Sequence, residues 1–334
     1  MNLPFAGEPP ALTGVLKSTP EDFVVDELLP YGPDGTGEHD WLMVEKRGVN
    51  TAWLAGQLAR FAGVREVAVG YAGSKDRQGV TRQAFTVQLP GRKLDWSELR
   101  IDGVRLLEVQ RHSRKIQRGS NDGNRFAIVL REIKGDIDVA QKQLSALALR
   151  GAPNYFTEQR FGIDGANLAR ARALFAGRRL DRNQRSFALS AARSAIFNAV
   201  LAARVVDGTW DQIVPGELAM LDKSRAWFKT DIDDVALADR CARGEIHPTG
   251  PLWGDKPAPL GERLAQLEDE SSRELDDLKR GLEKERLDTT RRALRVLASD
   301  LSWSFDAGAL HLNFALPAGA YATALIRQVC RAEL

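Results

Sequence analysis

One carboxylate in this chain stands between two cations inside a turn bounded by glycines: Gly73-Ser74-Lys75-Asp76-Arg77-Gln78-Gly79. Lys75 and Arg77 beside Asp76 favour its ionised form at neutral pH and lower its proton affinity. An acid held ionised suits a nucleophile or an electrostatic stabiliser better than a proton donor. The same triplet also fits a solvated surface turn, so spacing alone leaves both readings open. Apolar stretches flank it on both sides. Val67 to Ala72 runs in without a break, and afterwards Phe85, Val87 and Leu89 alternate with Thr86 and Gln88, so both read as strands.

Other chemistry is thinly provided for. His39, His112, His247 and His311 stand singly, and the two cysteines, Cys241 and Cys330, lie far apart. That leaves neither metal-ligand spacing nor a disulfide framework. A dinucleotide fingerprint and a P-loop are also missing, so neither a metal nor a cofactor is expected. With 334 residues, 43% apolar and 28% charged, the chain reads as a soluble globular protein of two domains. No apolar run reaches membrane-spanning length, and Met1 to Phe5 lacks the basic-then-apolar order of a signal peptide. The cytoplasm is the expected compartment, with no membrane partner.

The charge balance is uneven. Net charge is only +2, yet residues 101–200 hold 18 Lys/Arg against 9 Asp/Glu, so the rest of the chain is net acidic. Segregation of this kind marks a polyanion-binding surface, most often for nucleic acid. The densest run contains Arg111, Arg114, Lys115 and Arg118 and is expected on a loop between strands, free to reach phosphates. Arg178 and Arg179 head a second cluster with Arg182 and Arg185. Solvated, solubilising arginines would give the same pattern. Between Glu262 and Asp288, 10 acids against 6 bases should repel a polyanion.

The elements that must position these groups give an α+β pattern. Trp41–Lys46 and Val104–Val109 read as strands, and a helix capped by Asn50 or Thr51 runs to about Phe61 with Leu54 and Leu58 on one face. Gly123 to Leu130 reads as a strand with Phe126, Ile128 and Leu130 on one side. A helix follows from Asp136, its stripe formed by Val139, Leu144, Leu147 and Leu149. Gly162 to Ala298 is mainly helical in pattern. Within it, Ile246 to Gly254 reads as a turn region, and Pro259 to Leu297 as one or two long charged helices. Leu301–Phe305 and Leu310–Phe314 form a hairpin around Asp306-Ala307-Gly308, before a closing helix to about Arg331.

Gly73-x-Lys75-Asp76-Arg77-x-Gly79-Val80-Thr81-x-Gln83-x-x-Thr86 resembles the signature of the TruD family of tRNA pseudouridine synthases. Four further stretches are similar to the family's, in its order. These are Lys17-x-x-Pro20-Glu21-Asp22-Phe23-x-Val25-x-Glu27, Gly123-Asn124-x-Phe126, Pro153 to Gly162, and Leu316-Pro317-x-Gly319-x-Tyr321-Ala322-Thr323. Ser186 to Asn198 also looks like a family signature. Thr157 stands where the family has glycine; a positive φ there would be strained. The resemblance spans Lys17 to about Arg327. It implies a discontinuous pseudouridine-synthase catalytic domain, residues 1–150 and 299–334, with a central mixed or antiparallel sheet. Residues 151–298 would be an inserted, mainly helical α/β TRUD domain.

By the same resemblance, Asp76 is catalytic and cofactor-free, acting on uridine at position 13 of tRNA. Lys17 and Lys75 would lie at the active site, Lys17 pairing with Asp76. Asn124 would hydrogen-bond near the aspartate or the base edge, Phe126 would stack on uracil, and Tyr321 would place a ring in the site. Two roles for Asp76 stay open, attack on C1′ and removal of the C2′ proton. Arg160 is either a structural ion-pair residue or a tRNA contact. A monomer is the default, with tRNA as partner and no obligate protein partner. The main alternative is a non-catalytic tRNA-binding or chaperone protein.

Overall fold

The computed structural model describes residues 3–231 and 234–333. The chain has an α+β fold and divides into two compact units. The first, the sheet unit, comprises Leu12–Gly135, Ala298–Gly319 and the end of the chain; the second comprises the residues up to Ala11, Asp136–Leu297 and Ala320–Arg331.

In the sheet unit the chain runs through β1 (Leu12–Leu16), β2 (Phe23–Leu28), β3 (His39–Arg47), helix α1 (Thr51–Ala62) and β4 (Val69–Gly70). It continues through β5 (Val80–Gln88), β6 (Val104–His112) and β7 (Gly123–Gly135), then returns as the hairpin β8 (Ser299–Asp306) and β9 (Ala309–Pro317). Strand order is β8-β9-β7-β2-β5-β3-β6, with β1 also on β7 and β4 also on β5. All these pairings are antiparallel except β2 with β5. The returning hairpin therefore rejoins the first sheet, with Leu310 opposite Leu130 and Pro317 opposite Gly123.

Strand β7 is central because its alternation buries Phe126, Ile128 and Leu130 and leaves their neighbours less covered. Helix α1 starts where the Asn50 side chain accepts the Ala52 and Trp53 amides, at 2.9 and 3.2 Å. It ends at Gly63, whose φ of 62° only glycine adopts cheaply. Leu54 and Leu58 are fully buried in one cluster with Phe85, Val87 and Leu89. Of the Val67–Ala72 run, only Val69–Gly70 is strand. Glu66–Ala68 forms a 3-10 turn with Val67 exposed, so an apolar run here does not mean a continuous ladder.

The second unit holds α2 (Ile137–Arg150), α3 (Glu158–Phe161), α4 (Ala166–Phe175) and α5 (Arg182–Val206). Helices α6 (Ala236–Ala242), α7 (Glu262–Ser271), α8 (Asp276–Lys284) and α9 (Ala322–Ile326) follow. Its core surrounds α5, whose buried Ala188, Ala191, Ala192, Ala195 and Phe197 share one cluster with Tyr155 and Leu278. By length and a mean hydropathy of 1.3, α5 passes for a membrane span; 67% of that window is buried inside the protein, which makes it a core helix.

Several expected elements differ. Ile246–Leu252 is a buried strand rather than a turn region, between Leu218–Leu221 and Thr290–Ala293 in a four-stranded sheet. Its prolines lack donors but not acceptors, and the Pro248 carbonyl takes the Leu294 amide at 2.8 Å. The charged segment is helical only to Lys284. Arg291 then points inward from a strand, its guanidinium bidentate on buried Glu268 at 2.7 and 3.0 Å. The stripe of α2 is Ala140, Leu144 and Leu147, while Val139 and Leu149 are exposed. The closing helix is only the five residues of α9, followed by a strand, Cys330–Glu333.

The compact units divide between Gly135 and Asp136 rather than at 150, and between Leu297 and Ala298, one residue from the expected 299. Helix α2 groups with the second unit, where Gln143 binds the Ala11 amide and Pro9 carbonyl (3.0 and 2.9 Å) and Arg150 pairs with Asp211. Residues 320–331 do likewise, with Ala324 in the α5 core. Thr157 has φ −95°, so the missing glycine introduces no positive φ and no strain.

Candidate active site

Asp76 sits in the turn between β4 and β5, and the parallel pairing of β2 with β5 sets that turn beside the chain entering β2. Lys17, just after β1, reaches it: its ammonium forms an ion pair with the Asp76 carboxylate and lies 4.3 Å from the centre of the Phe23 ring. Lys17 has φ 62°, a left-handed conformation that costs a lysine energy and aims its side chain here. The other Asp76 oxygen accepts the Gln78 amide at 3.0 Å. Burial opposes ionisation of Asp76, but the Lys17 hydrogen bond, the Gln78 amide and the Lys17 charge together hold the carboxyl below the usual aspartate range. The acid remains 21% exposed, so it is both ionised and reachable.

The adjacent cations do not serve Asp76. Lys75 turns the opposite way and pairs with Glu27, and Arg77 Nε donates to the Gly48 carbonyl at 3.0 Å. Neighbours along the chain are therefore not the charge partners here. The counterion comes from 59 residues away instead.

Three buried groups fix the turn. Thr51 Oγ1 accepts the Lys75 amide and donates to Gln83, both at 3.0 Å, while Gln83 Nε2 donates to the Gly73 carbonyl at 3.1 Å. Lys46, fully buried on β3, donates to the carbonyls of Asp76 and Val49 at 3.0 and 2.9 Å. Burial pushes its ammonium down to about 8, although the Asp76 charge acts the other way. Gly79 is required by crowding: a Cβ there would run into the Phe23 carbonyl.

Beside this turn lies a second polar group. Glu27 is buried and its carboxyl is raised by that burial despite Lys75. Asn124 stands opposite Glu27 in the ladder, and its Oδ1 is buried with no hydrogen-bond partner among the described residues. Phe126 is 6% exposed, stacked on Phe314 at 5.3 Å and edge-on to Phe23 at 6.1 Å. Lys17, Asp76, Lys75, Asn124 and Phe126 thus all belong to the sheet unit. Tyr321 belongs to the second unit, edge-on to Phe156 with its hydroxyl accepting from Arg160 Nε at 2.9 Å. Arg160 also binds Ser190 Oγ at 2.8 Å and lies 5.2 Å from the Phe156 ring centre, with no carboxylate partner among the described residues.

The basic run is not a free loop. Arg111 lies at the end of β6, its guanidinium on the buried Asp40 carboxylate and the Gly37 carbonyl. Lys115 donates to the Val67 carbonyl. Ile116 is buried with its amide on Thr86 Oγ1 at 3.0 Å, and the Gly119 amide binds the Ala72 carbonyl at 2.7 Å. Arg114 and Arg118 instead lie over tyrosine rings, at 4.8 Å from Tyr31 and 3.6 Å from Tyr71. Arg178 and Arg179 are exposed after α4.

The profile of the family described as "tRNA pseudouridine synthase D (TruD)" matches residues 4–168 and 166–329. The chain belongs to the TruD family. A protein named tRNA pseudouridine synthase D from Nitrosococcus oceani is 46% identical over 337 residues, covering 99% of this chain and 94% of the relative. One of the same name from Xanthomonas euvesicatoria is 45% identical, covering 97% and 93%. A crystal structure from Methanosarcina mazei, described as TruD, shares the fold with a TM-score of 0.77 at 20% identity, over 98% of both chains.

In this TruD-family chain, Lys46, Thr51 and Glu27 escaped the sequence reading. Parity carried a signal for Lys46, which shares the inward face of β3 with Leu42 and Val44. A lysine on an inward face needs a partner, here two backbone carbonyls. Thr51 was considered only as a helix cap.

Proposed function

We propose that this chain isomerises uridine to pseudouridine in tRNA, with Asp76 acting on the ribose of an extruded nucleotide. The observation that carries the reading is the Asp76 carboxylate: ionised, partly open, and ion-paired to a lysine held in a left-handed backbone. The reaction breaks C1′–N1, turns the uracil and joins C1′ to C5; the C5 hydrogen leaves as a proton and N1 gains one. Either attack of the carboxylate on C1′ or removal of the C2′ proton requires this ionisation state. The departing uracil anion needs donors and acceptors around it, and the unpartnered Asn124 Oδ1 is an acceptor suited to the uracil N3–H. Extrusion costs a few kcal/mol, offset by phosphate and stacking contacts. By family resemblance the target is the uridine at position 13. We take the protein to act as a cytoplasmic monomer.

The direct test is incubation with unmodified tRNA transcript and nucleoside analysis. Pseudouridine with stoichiometric tritium release from C5-labelled uridine is expected. Free uracil would instead mean a glycosylase, and no product would leave the RNA-chaperone reading. Lys17 gives a second test. Replacing it with methionine removes the Lys17 hydrogen bond and charge and leaves burial opposed by the Gln78 and Arg77 amides, so the folded carboxyl titrates higher. The acid limb of single-turnover rate should move to higher pH, with activity recovered as pH rises through the new pKa. An unchanged limb would detach Lys17 from the chemistry.

A further inference from the structure

We propose that Arg118, packed over the ring of Tyr71, is a stacking platform for a second, unpaired base of the bound tRNA, one that flanks the uridine presented to Asp76. The inference rests on the isomerase reading above. Arg118 Cζ is 3.6 Å from the Tyr71 ring centre, within van der Waals contact, so the ring covers the guanidinium from one side. A hydrogen bond from its Nη2 to the Tyr71 hydroxyl fixes its rotation, and its side chain is otherwise exposed. Tyr71 is itself buried and tilted onto Phe85 at 5.5 Å, which gives the stack a rigid back.

The platform is also tethered to the Asp76 turn. Gly119, the next residue, donates its amide to Ala72, and four residues of chain from Ala72 to Asp76 span at most ~14 Å. Arg111 is taken up by the buried Asp40 carboxylate and Lys115 by a backbone carbonyl, and Arg114 lies at 4.8 Å from Tyr31 against 3.6 Å for Arg118 on Tyr71, so Arg118 is the better placed group beside this turn. A guanidinium backed by an aromatic ring on one side and exposed to solvent is suited to a base face, whatever the base. A phosphate contact would use the edge instead.

Arg118→Lys separates these roles, since it keeps the charge and loses the plane. Two measurements follow, on tRNA transcripts whose converted uridine has first been mapped with wild-type enzyme. In one, kcat/KM should fall about tenfold in Arg118→Lys, while the salt dependence of binding stays that of wild type. In the other, 2-aminopurine is placed on either side of that uridine and bound to Asp76→Asn protein, which holds the complex without turnover. One flanking position should be quenched, and Arg118→Lys should relieve the quenching. Wild-type kcat/KM and quenching in Arg118→Lys would overturn the platform alone, leaving Arg118 as a point charge on phosphate. A wild-type enzyme that converts no tRNA uridine would overturn the isomerase reading and the platform with it.

Discussion

Asp76→Asn should reduce pseudouridine formation by about 10^4-fold or more while tRNA affinity stays within tenfold of wild type. The amide keeps the volume and one acceptor for the Gln78 amide, yet it neither attacks C1′ nor takes a C2′ proton. Binding should survive because Asp76 meets a single ribose, whereas phosphate and stacking contacts elsewhere supply most of the affinity for tRNA. Lys17 would lose its counterion while its side chain is only 6% exposed, so some stability goes with the charge. The double variant Asp76→Asn/Lys17→Met removes that strain, and its thermal midpoint should exceed that of Asp76→Asn with activity equally absent. Full tritium release by Asp76→Asn would end the assignment. The two chemical roles of Asp76 separate with tRNA deuterated at C2′ of the target: proton abstraction predicts a primary isotope effect, attack on C1′ none.

What the sequence disclosed about this site is uneven, for physical reasons. The Asp76 turn was legible because its residues are contiguous and the strand after it alternates cleanly. The β8–β9 hairpin was legible for the same reason, and its return to β7 followed from strand pattern reappearing late in the chain. The Asp76 counterion was misassigned by proximity, since Lys75 and Arg77 face away and only the family resemblance pointed to Lys17. Strand parity marks Lys46 as inward-facing but not what it holds, because its partners are backbone carbonyls, which carry no residue identity. Ile246–Leu252 and Thr290–Ala293 were misread because prolines and arginines are poor strand signals by themselves. Their pairing is decided by partners such as Glu268 that lie more than twenty residues away. Similarly, the basic run was read as free charge, whereas tertiary contacts assign Arg111 to Asp40 and lay Arg114 and Arg118 on tyrosines.

A large effect on stability is expected from Arg204→Met, a residue of the second unit with no part in the proposed chemistry. Arg204 and Glu217 form an ion pair at 2.9 Å with side chains 2% and 0% exposed. Arg204 also donates to Thr209 Oγ1 at 2.7 Å and to the Thr209 and Gln212 carbonyls at 2.8 and 3.1 Å, tying the end of α5 to the following loop. Removing one partner of such a pair leaves a buried, uncompensated charge, at a cost of about 3–5 kcal/mol. Burial already raises the Glu217 carboxyl above its usual range, and Arg204 works against that rise. Without Arg204 the folded pKa climbs further. A raised folded pKa contributes stability at acid pH that is lost as pH rises through it, so the deficit should be smallest in acid and largest near neutrality. Thermal midpoints of wild type and variant, measured across that range, check the sign. Arg204→Met/Glu217→Leu should then recover much of the loss at neutral pH, because the stranded carboxylate is gone although the loop hydrogen bonds are not restored. If the double variant is no more stable than the single one at neutral pH, the loop hydrogen bonds, and not the buried charge, hold the end of α5.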